Sequence, residues 1–118
     1  MEILGIHHVN LTVKDADEAR AFYVDVIGLA VRGDRPDFPF GGWWLDVGAQ
    51  QVHLVVGEPR TETFDHFAIQ VGDLDTSVAE LRAKGLKVSD PQGVGVNRQS
   101  FLRDPWGNRI ELQEVTRS

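Results

Sequence analysis

Apolar and polar residues alternate along His8–Val13. Val9, Leu11 and Val13 face one way and His8, Asn10 and Thr12 the other, the period of a half-buried strand. The spacing changes at Asp15. Ala19, Phe22, Tyr23, Val26 and Ile27 recur at helical intervals, with Asp15 as N-cap, Glu18 three residues on as in a capping box, and Gly28 as the stop. Strand-like stretches follow at Leu29–Arg32, Trp43–Val47 and Gln51–Val56. The same succession then returns. Phe67, Ile69 and Val71 oppose His66, Ala68 and Gln70, and a helix starting near Asp73 or Asp75 buries Leu74, Val78 and Leu81 before ending at Gly85. Strands are predicted at Lys87–Ser89, Gln99–Arg103 and Asn108–Glu114. Each half reads as strand, helix and three strands, which makes the chain α+β.

A constant offset of 58 residues relates the halves. His8–Asp17 aligns with His66–Asp75 without a gap, and the same offset carries Asp46 onto Asp104, His53 onto Glu111 and Trp43 onto Phe101. The pattern predicts a single domain, 1–118, made of two repeated modules at about 3–57 and 62–115, with a hinge over Gly57–Thr63. The turns Gly48–Gln50 and Asp104–Asn108 take matching places before the final strands.

Composition narrows the chemistry. With 118 residues, 42% apolar and 25% charged, the chain has the make-up of one ordinary globular domain. It contains no cysteine, so any metal must be held by nitrogen and oxygen. The net charge of −6 opposes a nucleic-acid backbone as partner. No apolar run reaches the length of a membrane span and the start lacks a signal-peptide pattern, so the expectation is a cytoplasmic protein without membrane association. Arg98, Arg103 and Arg109 cluster in sequence. Each alone reads as a solvated surface arginine, and together they could serve a small anionic ligand.

In the last strand of each half, Val52, Leu54 and Val56, and likewise Ile110 and Leu112, form the apolar side. His53 and Glu111 lie opposite. His8, His53, His66 and Glu111 therefore all leave their strands away from the helix-covered face. If the two sheets curve toward each other, these side chains converge inside a cup. A single histidine on a strand is most simply a hydrogen-bonding polar residue. Three histidines and a glutamate at equivalent places in two copies point instead to one divalent metal, with Zn, Ni, Fe, Mn and Co all suited to such ligands. His7 falls on the other alternation and reads as structural. The irregular loop Gly33–Gly42, followed by Trp43 and Trp44, suggests a ligand pocket. Trp43 stands an even ten residues before His53 and is expected on the site side with Phe101.

The segments 8–13, 21–29, 51–54, 65–71 and Asp-Pro-Trp-Gly-Asn-Arg-Ile-Glu-Leu at 104–112, in this order, resemble the vicinal oxygen chelate superfamily. That group includes glyoxalase I, ring-cleaving dioxygenases, fosfomycin-resistance enzymes and bleomycin-binding proteins. The resemblance implies two βαβββ modules forming an open, cup-shaped mixed sheet around a metal held at His8, His53, His66 and Glu111. It also implies a homodimer whose cups are built within or between chains, and a small-molecule substrate.

Four ligands leave two positions on an octahedral ion for neighbouring substrate oxygens, which suits a glyoxalase-I-like lyase or isomerase with Glu111 as the catalytic proton carrier. Glyoxalase I has glutamate at the position of His53, and its bacterial form has an arginine where Thr12 stands. The second reading is an extradiol-type dioxygenase in which His8, His66 and Glu111 hold Fe(II) and His53 acts beside them. Phe101 stands where such enzymes carry tyrosine. Fosfomycin-inactivating enzymes carry threonine where Asn10 stands. A reading of another class is a non-catalytic antibiotic-binding resistance protein. Asn10, Thr12, Trp43, Phe101 and Arg98 are the candidate substrate-pocket residues.

Overall fold

The computed structural model describes residues 1–60 and 65–115. Their contacts divide the chain into two compact units, Met1–Arg60 and Thr61–Ser118. Of the hinge expected over Gly57–Thr63, residues 61–63 lie outside the described residues, as do the first residues of the second module expected from 62.

The first unit runs β1 (His8–Val13), α1 (Ala16–Arg20), a π-helical continuation (Ala21–Val26), β2 (Ala30–Val31), β3 (Gly42–Val47) and β4 (Gln50–Val56). The Asp15 carboxylate accepts from the Glu18 amide at 2.8 Å, so the cap read from the sequence forms. Beyond Arg20 the helix widens: the Ile27 amide bonds to the Phe22 carbonyl, five residues back. Gly28, at φ +97°, then reverses the chain and lets the Leu29 amide reach the Tyr23 carbonyl. The four strands are ordered β1-β4-β3-β2, with β1 parallel to β4 and the other pairs antiparallel. Val13, Ala19, Phe22, Tyr23, Leu45, Val52 and Leu54 are buried, as the alternation and helical spacing require. The Trp43 indole N–H donates to the Ala16 carbonyl at 2.7 Å and so ties β3 to the start of α1.

The second unit repeats the plan with β5 (His66–Gln70), α2 (Leu74–Ala83), β6 (Gln92–Val94), β7 (Asn97–Arg103) and β8 (Arg109–Glu114), ordered β5-β8-β7-β6 with β5 parallel to β8. Asp73 is the N-cap of α2, accepting from the Thr76 amide at 2.9 Å. The helix ends in a Schellman motif. The Leu86 amide bonds to Leu81, the Gly85 amide bonds to Arg82, and Gly85 takes φ +89°. Leu74, Val78 and Leu81 form its buried stripe.

Two boundaries differ from the sequence reading. The edge strand expected at Lys87–Ser89 forms instead at Gln92–Val94. Ser89 still bonds to Phe101 through both its amide and its hydroxyl, so this segment runs beside β7 without completing a ladder. Pro91, which has no N–H, separates the two stretches. The strand expected over Leu29–Arg32 is only two residues long.

The 58-residue offset survives in the parallel pairs, where Asn10↔His53 matches Ala68↔Glu111. It fails in the hairpins. Trp44 pairs with His53, but Phe101, 57 residues after Trp44, pairs with Glu111. The chain between Arg103 and Arg109 is one residue longer than that between Asp46 and Gln51, which are equivalent pairs. Asp46 and Asp104 are therefore not counterparts. Asp46 sits in β3 and accepts from Arg32 at 2.7 Å. Asp104 is buried in the turn, where it accepts from the Trp106 and Asn108 amides and the Asn108 side chain.

Gly42 opens β3 where a Cβ would collide with the Leu54 carbonyl of β4, whereas a Cβ on Gly33 would meet nothing within 4 Å. Gly42→Ala is expected to destabilise the fold by about 1–3 kcal/mol through overpacking, and Gly33→Ala by less than about 0.5 kcal/mol. Urea unfolding of the two variants checks the contrast.

Candidate functional site

Parallel pairing of β1 with β4 sets His53 opposite Asn10, one diagonal step from His8 on the same face. The two imidazoles stack with centroids 3.9 Å apart and planes 15° from parallel. Trp44, across from His53 on β3, stacks on it at 4.3 Å and 8°. Since β1 and β3 flank β4, His53 is sandwiched between an imidazole and an indole. Its Nε2 lies 2.8 Å from the Gln51 amide oxygen, and an N–H donated there leaves Nδ1 with the free lone pair. His53 is buried, with 7% of its surface exposed, while His8 is exposed. His7, which the alternation assigns a structural role, stands beside the pair, its Nδ1 2.9 Å from that of His8. It precedes β1, so strand alternation does not govern it.

The second unit makes its pair by the same diagonal. Glu111 is opposite Ala68, one step from His66, and Nε2 of His66 lies 3.2 Å from a Glu111 carboxylate oxygen. Glu111 is buried at 7% exposure. Phe101 faces Glu111 across β7 and β8 and meets the His66 ring edge-on at 5.7 Å. The Arg109 guanidinium lies over Phe101, 4.0 Å from the ring centre.

The expected pocket residues divide. Asn10 and Thr12 share the His8 face of β1, and Phe101 shares the face of Glu111. Trp43 does not belong there. It pairs with Leu54, its indole is held by Ala16, and the Arg20 guanidinium lies 5.5 Å over it, so it serves the helix side. The tryptophan on the His53 side is Trp44, because the shorter hairpin makes the separation an odd nine residues. Arg98 is likewise on the helix side, forked onto Asp75 of α2 at 2.9 and 3.0 Å. In the 33–42 loop, Phe38 and Phe40 stack on each other at 4.9 Å beneath Arg35, and Phe38 approaches Trp44 at 6.1 Å. The aromatic path thus runs from the loop to His53. The sequence pattern does not single out Gln51, and it leaves open which face Trp44 and Arg109 take; the length of each hairpin turn is the signal that places Trp44.

Among the described residues no group of three or more histidine, aspartate or glutamate side chains gathers as a metal would require. Each unit offers a pair. The donor chemistry fits a divalent ion: imidazole nitrogens in one pair, imidazole and carboxylate in the other, and no thiolate. Burial, and then any positive charge on His8 and His7, hold the His53 imidazole below its ordinary pKa, in the neutral form that a metal binds.

The family model described as Glyoxalase/Bleomycin resistance protein/Dioxygenase superfamily matches residues 5–112, and the chain belongs to that family. An Arabidopsis thaliana protein named "Probable lactoylglutathione lyase, chloroplastic" is 31% identical over 121 residues; these cover 91% of this chain but 35% of that protein, so the chain spans about a third of its length. The lactoylglutathione lyase of Haemophilus influenzae is 29% identical over 94% of this chain and 93% of its own. Among solved structures, a Bacillus anthracis protein placed in the glyoxalase family superposes with a TM-score of 0.89, at 31% identity and 98% coverage of both chains. The fosfomycin resistance protein FosX of Listeria monocytogenes, as an E126Q mutant complexed with Mn(II) and a dihydroxypropylphosphonic acid, has a TM-score of 0.82. At 21% identity over 98% of this chain and 95% of its own, it shows likeness of fold. No helix among the described residues is long and apolar enough to cross a membrane.

A His53 pKa lowered by burial has a definite sign in stability. The neutral imidazole favours the folded state above the ordinary histidine value of about 6.5, and that contribution is lost as pH falls through the lower folded-state value. Imidazole ¹⁵N resonances of the metal-free protein should show His53 titrating below the ordinary range, and His8→Ala should move its midpoint upward. A midpoint at or above the ordinary value would contradict the burial seen here.

Proposed function

We propose that this chain is a metal-dependent enzyme of the vicinal oxygen chelate type, a glyoxalase-I-like lyase or isomerase acting on a small oxygenated molecule. The observation that carries the reading is the identical diagonal placement of His8 with His53 and of His66 with Glu111. A single residue slip in either sheet would turn these side chains to the helix face. The relatives named as lactoylglutathione lyases support the same class. His8, His53, His66 and Glu111 would hold one divalent ion, Zn, Ni, Fe, Mn or Co, which would supply Lewis-acid polarisation of substrate oxygen.

Glu111 is the proton carrier. Its carboxylate is buried, turned toward His66 and walled by Phe101, so water has little access to compete for the transferred proton. It removes a proton from carbon beside the polarised oxygen and returns it to the neighbouring carbon. Asn10 and Thr12 line the same face of β1 and contact the substrate. The working form is a homodimer.

One observation favours the extradiol-type dioxygenase as second reading. Nε2 of His53 is taken up by Gln51 and both faces of its ring are covered by His8 and Trp44, which suits a residue held beside the metal. His8, His66 and Glu111 would then be the iron ligands.

Glu111→Gln should lower isomerase turnover by about 10²–10⁴-fold, the usual span of general acid–base catalysis. Elemental analysis after loading should show near-stoichiometric metal in the native protein and a marked loss in His66→Ala, with circular dichroism unchanged. Stoichiometric metal in His66→Ala would sink the ligand assignment. Full iron retention in His53→Ala, with O₂ consumed in the presence of catechols, would give the dioxygenase first place.

A further inference from the structure

Arg103 and Arg109 are directly opposed across the β7–β8 pair. Like charges so placed repel one another, which disfavours the pairing unless something negative lies between them. Lys87 adds a third cation. With Phe101 and Leu102, these three residues line a concavity of about 520 Å³ in the second unit. That volume falls in the range of small-molecule sites.

Three cations gathered in a chain of net charge −6 need an account, and pairing among the described residues does not supply one. Among the described residues no carboxylate pairs with Lys87, Arg103 or Arg109, whereas Arg32, Arg82 and Arg98 are each paired with aspartate. Among the described residues Arg103 donates to the Gly107 carbonyl, and Arg109 lies over Phe101. Two acids adjoining them in β7–β8 are committed elsewhere: Asp104 to the turn amides and Glu111 to His66. Among the described residues no acceptor takes up the guanidinium N–H groups of Arg109, which lies over Phe101, and their fork matches an oxyanion.

We propose that Lys87, Arg103 and Arg109, set around the concavity beside Phe101, bind the carboxylate or phosphate group of a small organic anion. Arg109 and Glu111 are two residues apart on one face of β8, about 7 Å along the strand. An anion seated at Arg109 therefore lies within one small molecule's length of the Glu111 carboxylate. That the bound anion is the charged arm of the molecule on which Glu111 acts rests on the function proposed above; the anion site itself does not.

The test uses protein freed of metal on a chelating resin, so its result is independent of the metal reading. Inorganic phosphate and malonate are titrated separately at constant ionic strength, and ¹H–¹⁵N amide shifts are followed. Saturable shifts confined to residues 87 and 101–109 are expected, weakened about tenfold or more in Arg109→Gln and in Lys87→Gln, as for loss of a charge-assisted hydrogen bond. Arg98→Gln removes the same charge from the opposite face of β7 and should leave the affinity intact. Tighter binding of malonate identifies a carboxylate headgroup, and tighter binding of phosphate a phosphoryl group. Shifts that never saturate, or an affinity equal in the native protein and in both Arg109→Gln and Lys87→Gln, would overturn the site.

Discussion

Everything at the candidate site depends on the register in which each unit's first strand lies parallel to its last. Side chains on a strand alternate with a period of two, so one register puts His53 diagonal to His8 and Glu111 diagonal to His66, and a slip by one residue undoes both. The helix enforces that register by covering one face. Val52, Leu54, Ile110 and Leu112 must go to the helix side to be buried, and this sends His53 and Glu111 to the other. Polar pairs are thus positioned by the burial of their apolar neighbours in sequence.

The two pairs share a backbone plan yet stand in different surroundings. His53 is enclosed by flat ring contacts from His8 and Trp44 and fixed at one nitrogen by Gln51. Glu111 is buried with an imidazole at its carboxylate and a phenyl ring across the strand, next to an arginine-bearing concavity. One unit therefore presents a neutral, aromatic setting and the other a charged one. Duplication supplied the geometry, and divergence of the neighbouring residues distinguished the chemistry of the two halves.

Much of this was legible in the residues themselves. Asp15 and Asp73 cap their helices, Gly28 and Gly85 close them, and the apolar stripe Leu74, Val78 and Leu81 is buried as its spacing requires. These features are local, since a cap or a helical face is decided within one or two turns of chain. The 58-residue offset does not hold through the hairpin turns. One residue more in the second hairpin breaks the equivalence of Trp43 with Phe101 and of Asp46 with Asp104, and parity then puts Trp44 on the site side. Arg98 was misplaced for a related reason: clustering in sequence with Arg103 and Arg109 says nothing about which face of β7 each occupies.

The sequence by itself determined the two-fold repeat, the order of elements in each half, the helix boundaries and the four polar residues that oppose the apolar faces of each half's first and last strands. All of these follow from periodicity and capping, which short-range sterics and hydrogen bonding control. The tertiary structure decided which side chains meet: His8 with His53, His66 with Glu111, Trp43 with the helix, Trp44 with the histidine, and Arg109 over Phe101. Those meetings depend on strand register and turn length, which are selected when separate segments pair and bury their common apolar face.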